Sequence, residues 1–284
     1  PARRARALLD EAVARAQLAG APLELTARVM RFDLAYATDH CDLALAERDL
    51  TRALALSLTP GVAPPWQRLH LEGSLVVVEA EQGRLDDALT RLRKLIAEVE
   101  ARGMRSYVRL YHLNLAAFLL RAGAHVEAAA AAERTHRLAE DAGDAQLQAS
   151  ALSIRAAALG AQGLLDEALR CADEAERLQR ERGDRLQALT LLRRASILAS
   201  LSRPADARRD ARRARDLAER DKDADLVISA RVWEQLHLLR TGEGDRGALE
   251  RSILEAERSG VLLRGFSRLV IEQAKALLAS TRAD

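Results

Sequence analysis

Apolar positions along this chain recur at helical spacing, in long Ala/Leu/Arg/Glu runs broken by glycines. That spacing puts the apolar side chains on one stripe of a helix and the charged ones on the other. LLDEALRCA at Leu164–Ala172 and LLDEAVARA at Leu8–Ala16 show it in nearly the same nine residues. No segment alternates with period two. Leu75-Val76-Val77-Val78 is the one short β-like run, and it lies inside a helical pattern. The sequence therefore predicts helices throughout.

The breaks are periodic. Gly83, Gly123 and Gly163 are 40 residues apart, and Gly103, Gly143 and Gly183 form a second series with the same step. Two interleaved series with one period describe a hairpin: helix, glycine turn, helix, glycine turn. Glycine suits the left-handed position just past a helix end, where a β-carbon is strained. Aligned on the small residue of the phrase that follows the first series, Ala88, Ala128, Ala168, Ala207 and Ala248 fall 40, 40, 39 and 41 apart. Ala44 is a weaker match, with the loop 59–65 absorbing four extra residues, and Ala12 belongs to the second half of a repeat. Acidic residues just before the alanine (Asp86, Asp87, Asp166, Glu167) fall in a first helical turn, where they complement the helix dipole. The alanine itself marks a close helix crossing.

These observations predict an all-α protein, a right-handed α-solenoid of tandem helix-turn-helix units forming one continuous domain over 1–284. A partial first repeat occupies 1–20. Hairpins follow at 22–58, 65–102, 104–142, 144–182, 184–221 and 223–259, with a terminal helix at 261–280. One hairpin cannot bury its apolar stripe, but stacked hairpins can. Because LLDEAVARA is the second half of a repeat whose first half is missing, the chain is expected to be a segment of a longer protein.

The Gly-x-x-x-Glu-Ala-Leu phrase, the paired small residues Ala168/Ala175 and Ala128/Ala132, and the Gly-Asp steps at Gly143 and Gly183 resemble the tetratricopeptide repeat (TPR) family. The roughly 40-residue form is similar to that of MalT-like and other bacterial signalling proteins. The resemblance covers nearly the whole chain, although the family's aromatic positions are mostly Leu or Ala here and its closing Pro is missing. It implies a non-catalytic protein- or peptide-binding scaffold, the sensor or assembly region of a larger regulatory protein. The alternative is a solenoid that senses a small ligand or assembles with itself.

Composition narrows the field. With 44 basic and 42 acidic residues the net charge is +2, which offers no field for nucleic acid or anionic lipid. Only 3% of residues are aromatic, so the core is built from Leu, Ala, Val and Ile. The isolated Cys41 and Cys171 exclude a disulfide framework or cysteine zinc cluster and point to a reducing, cytoplasmic setting. No run approaches the length needed to cross a bilayer.

Candidate chemistry is sparse. His40-Cys41-Asp42 cannot converge from consecutive helical positions, and the other histidines lack metal-ligand spacing. No phosphate-loop or nucleophile-elbow motif occurs, and Gly242–Gly247 joins two helices. No catalytic residue, metal or cofactor is expected. The run Arg208–Arg215 is interleaved with acids and reads as a solvated, ion-paired outer face. The first helix of each hairpin lines the inner, concave surface of such a solenoid. Polar and aromatic residues set in those helices are the expected partner-binding groups: His70, Tyr107, Tyr111, Asn114, Arg121, Arg155, Arg193, Glu234 and His237. The TPR resemblance implies that Asn114, Arg121, Arg155 and Arg193 hold the backbone or carboxylate groups of a peptide.

Overall fold

The computed structural model describes residues 2–37 and 41–280. The described residues form fourteen helices and no strand: α1 (Ala2–Ala19), α2 (Ala21–Ala37), α3 (Leu43–Ser57), α4 (Pro65–Glu81), α5 (Leu85–Ala101), α6 (Arg105–Arg121), α7 (His125–Glu140), α8 (Ala145–Ala161), α9 (Leu165–Arg182), α10 (Gln187–Ser200), α11 (Pro204–Asp221), α12 (Ala224–Arg240), α13 (Arg246–Arg258) and α14 (Gly265–Ser280). They follow one another along the chain as helices joined by short turns and loops. The chain divides into two compact units, Pro1–Met104 and Arg105–Asp284. The division coincides with a repeat boundary.

The turns explain the period. At nearly every one the amide five residues past a carbonyl closes back on it: Arg84 on Glu79, Met104 on Val99, Ala124 on Leu119, Asp144 on Ala139, Leu164 on Leu159 and Asp184 on Gln179, at 2.8–3.0 Å. This bond satisfies an orphaned helix-end carbonyl and requires the intervening residue to be left-handed. The structure adds two members that the glycine count missed. Ser202 (φ 56°) and Lys222 (φ 58°) occupy the left-handed position 39 residues after Gly163 and Gly183. Their neighbours close the same bond, Arg203 on Leu198 and Asp223 on Ala218.

Helix starts are also local. Asp42, Asp144 and Asp223 accept from the amide three residues on, at 3.0 Å each. Asp245 caps α13 through Gly247 and Ala248. His40 lies outside the described residues, and the neighbouring Asp42 is a helix cap. In the turn before Asp245, a β-carbon on Gly244 would stand 2.6 Å from the Leu239 nitrogen, so only glycine fits there.

The first unit is built on a charged seam between α2 and α3. Asp49, 1% exposed, accepts from Arg28 at 2.7 Å and from two nitrogens of Arg31 at 2.6 Å each. Buried Glu24 accepts from Arg28 and Arg52. The hydrogen bond from Arg52 is the main reason its carboxyl is held below the usual range. Around this seam Leu25, Phe32, Leu50, Ala53, Leu71 and Val78 form the apolar core. The small-residue register shifts in this unit. Ala44 and Ala12 are exposed, and Ala46, Val13 and Ala16 take the buried places, because α1 packs on α2 and α3 on α2 and α4 through those neighbours.

In the second unit the predicted alanines Ala128, Ala168 and Ala207 are fully buried, whereas Ala248 is half-buried and Leu249 replaces it in the core. Ala168 lies against Gly160 of α8, and both touch the cluster of Ala156, Leu159, Ala172 and Ile197. Successive first helices α6, α8, α10, α12 and α14 pack on one another, and α7, α9, α11 and α13 pack outside them. The first helices thus line the inside of this unit. Residues 260–264 are irregular, and α14 is fastened to α12 by a buried carboxylate. Asp225 accepts from the Arg264 amide at 3.2 Å and from Ser267, whose hydroxyl also meets Ser229 at 2.5 Å.

Three measurements follow from this packing. Ala168→Leu overpacks the α8–α9 crossing and should lower the unfolding free energy by about 1–3 kcal/mol in a denaturant titration. Lys222→Gly removes a left-handed side chain and should raise it by up to about 1 kcal/mol by the same method. Burial raises the Asp225 carboxyl from 3.8 to about 6, outweighing the hydrogen bond from Ser267. Between those values the native state holds the extra proton, so stability should fall as pH rises from 4 to 6 and stay level above, a loss of about 3 kcal/mol that Asp225→Asn abolishes.

Candidate functional site

The inside of the second unit carries a repeated position. Asn114, Ile154, Arg193 and Trp233 stand at the same place in α6, α8, α10 and α12, with steps of 40, 39 and 40. Arg193 is the charged member. Its Nη1 donates to the Ser153 hydroxyl of α8 at 2.9 Å, and that oxygen also accepts from Thr190 at 2.8 Å. Its Nε is shut off from solvent and has no partner. No carboxylate pairs with it, and desolvation pulls the guanidinium down to about 10. The contrast with Arg28, Arg31 and Arg194 is sharp, since each of these deeply set arginines meets an aspartate at 2.6–2.7 Å.

Around Arg193 the inner helices are tied by polar rungs. Trp233 Nε1 donates to Ser196 at 2.9 Å. Ser153–Thr190 and Ser196–Trp233 are both pairs 37 residues apart, one helical turn short of the repeat. These residues escaped the sequence reading. Writing adjacent first helices with a three-residue slip would have exposed them.

The expected binding residues sort into groups. Tyr111 is 1% exposed and belongs to the core, with its ring 5.7 Å from the half-buried Tyr107. Burial pushes the Tyr107 hydroxyl up. Arg155 turns outward to Glu133 of α7, and Glu234 to Arg215 of α11 at 2.8 Å. Both therefore join inner to outer helices instead of facing inward. His237, 8% exposed, stacks on Trp233 with ring centres 5.0 Å apart, and desolvation lowers its pKa. Asn114 is half-buried on α6. Arg121 lies over the Phe118 ring at 6.0 Å and against Gly265 of α14. His70 sits apart, on α4 of the first unit.

The arginine run of α11 is ion-paired, but mostly to acids of other elements and not to the acids interleaved with it. Arg208 meets Glu243, Arg209 meets Asp206, Arg213 meets Glu176 and Arg215 meets Glu234. No group of His, Cys, Asp and Glu that could hold a metal occurs among the described residues, nor does a helix long and apolar enough to cross a membrane.

No family model matches this sequence, and no curated protein does. Solved structures match along nearly its whole length. A Rap protein complexed with Competence and Sporulation Factor aligns over 92% of this chain and 68% of its own, at 14% identity and a TM-score of 0.73. NprR in complex with its cognate peptide NprX aligns over 99% of this chain and 84% of its own, at 13% identity and a TM-score of 0.68. Aspartyl phosphate phosphatase F from Bacillus subtilis aligns over 90% and 70%, at 12% identity and a TM-score of 0.63. At these identities the likeness is one of fold: the chain has the TPR-like helical-repeat architecture of these proteins.

Proposed function

We propose that this chain is a non-catalytic peptide-binding scaffold of a cytoplasmic, MalT-like bacterial regulatory protein, and that Arg193 anchors a carboxylate of the bound peptide on the inner face of the second unit. The observation that carries this reading is the Arg193 guanidinium, held in place by Ser153 and left without a counter-ion. A buried charge without a partner is unfavourable in the free protein and becomes favourable once a carboxylate arrives. NprR, similar in fold, is known in complex with a cognate peptide, which supports a peptide as the ligand. Asn114, Tyr107 and His237 are further candidates for contact along the same helices.

The experiment is an array of peptides in matched pairs, Asp against Asn, Glu against Gln, and free against amidated C-terminus. Wild type should bind the carboxylate member about tenfold or more tightly, the worth of a charge-assisted hydrogen bond. Arg193→Met should lose that preference while melting no lower than wild type, because it removes a desolvated charge. Arg193→Lys should retain part of the preference. If wild type binds none of the peptides, the peptide reading fails. If Arg193→Met binds as well as wild type, Arg193 is not the anchor.

A further inference from the structure

Four arginines of the outer helix α11, Arg208, Arg209, Arg212 and Arg213, stand on two successive turns. With Pro204, Ala205 and Asp216 they line a cleft of about 560 Å³. Arg208 and Arg212 are like charges four residues apart, as are Arg209 and Arg213, a spacing that repels on a helix surface. The carboxylates that meet them are mostly shared. Asp206 serves both Arg203 and Arg209, at 2.6 and 2.5 Å. Glu234 is held by Arg215 at 2.8 Å and lies 3.8 Å from Arg212. Glu176 receives Arg180 at 3.0 Å and the Gln187 amide at 2.9 Å besides Arg213 at 3.2 Å. Among the described residues, Glu243 is the one acid of this set given to a single arginine, Arg208. The Arg209 and Arg212 side chains remain 73% and 68% exposed. The other end of the cleft reaches the first turn of α11. Arg203 occupies the cap position there without a side-chain cap bond, so the positive end of an 18-residue helix adds to the same potential.

We propose that this cleft binds an oligophosphate, a chain of two or more linked phosphates. The site lies on an outer helix and is independent of the peptide-binding reading above. A guanidinium fork matches phosphate oxygens bidentately, and linked phosphates set several negative charges side by side. A carboxylate peptide arriving here only exchanges one carboxylate for another. An oligophosphate brings more charge into the same space and meets Arg209, Arg212 and Arg213 together, which offsets the repulsion along both rows. From Arg208 to Arg213 the helix rises about 7.5 Å, a span suited to a short phosphate chain and not to a run of nucleotides. No aromatic ring on which bases could stack lines the cleft among the described residues. Asp216 stands at the far end of the cleft and opposes any anion bound there.

Calorimetry on the full chain at low salt tests the site, with inorganic tripolyphosphate, orthophosphate and adenosine triphosphate as probes. Tripolyphosphate should bind about tenfold or more tightly than orthophosphate, because it engages more than one guanidinium. Adenosine triphosphate should match tripolyphosphate, since the cleft reads phosphate and not the base. Arg209→Gln combined with Arg212→Gln removes the two most exposed forks. It should weaken tripolyphosphate about tenfold and leave the melting temperature unchanged. Arg93→Gln combined with Lys94→Gln, at two exposed positions of α5, removes the same net charge and should bind as wild type does. Asp216→Asn leaves every arginine in place and should tighten binding about threefold, the worth of one surface charge. Four outcomes would each overturn the proposal: wild type fails to bind tripolyphosphate, only the nucleotide binds, the α5 pair weakens binding as much as the α11 pair, or Asp216→Asn brings no tightening. None of these measurements uses a peptide, so the site stands or falls apart from Arg193.

Discussion

Everything in this molecule depends on how closely two neighbouring helices can cross. A hairpin of Leu- and Ala-rich helices has an apolar stripe wider than its own partner helix can cover, so each hairpin must be covered by the next. With few aromatic residues to fill gaps, coverage is achieved by near approach of backbones. The pair Gly160 and Ala168 is the clearest case, a methyl-sized contact where most helix pairs would carry a leucine. Because the crossings are tight, adjacent inner helices come near enough for short hydroxyl and indole bonds such as Ser153–Thr190 and Ser196–Trp233. Those bonds fix how far one repeat slides on the next, and so fix where Arg193 points.

Arginine plays two roles on this frame. In seams between an inner and an outer helix it is matched to a carboxylate, as Arg31 is to Asp49 and Arg194 to Asp210. These pairs keep long side chains ordered in a core that is poor in large apolar residues. On the inner face of the second unit the matching stops, and Arg193 is held only by a hydroxyl. That unmatched guanidinium is the feature on which the proposed peptide anchor rests.

Much of the architecture was legible in the chain because its turns are local. A left-handed residue, a returning amide and a capping aspartate are decided within six residues, so a 40-residue glycine period translates directly into hairpins. Where the rule was met by other residues, as at Ser202 and Lys222, the count broke off although the turn persisted. Ala44 and Ala12 are exposed for a different reason: burial depends on which face a helix turns to its neighbours, and in α3 and α1 that face carries Ala46, Val13 and Ala16. The site was less legible. Whether Arg155, Glu234 or Arg193 faces inward depends on an ion-pair partner in another repeat, and pairing of Arg155 with Glu133 or of Glu234 with Arg215 has no signature in sequence spacing. Tyr111, polar at one atom, fits a binding position and a core position equally in sequence, and its ring is core.

The two left-handed turns made without glycine, Ser202 and Lys222, bracket a single helix, α11. That helix is also the one whose outward side chains are mostly arginines tied to acids on other elements: Glu176, Glu234 and Glu243. Backbone tension at both ends and ionic ties to other elements thus meet on one outer helix. Dissolved electrolyte therefore loosens the outward ties of this helix while Ala207, Ala211, Ala214 and Ala218 keep its other side in the core.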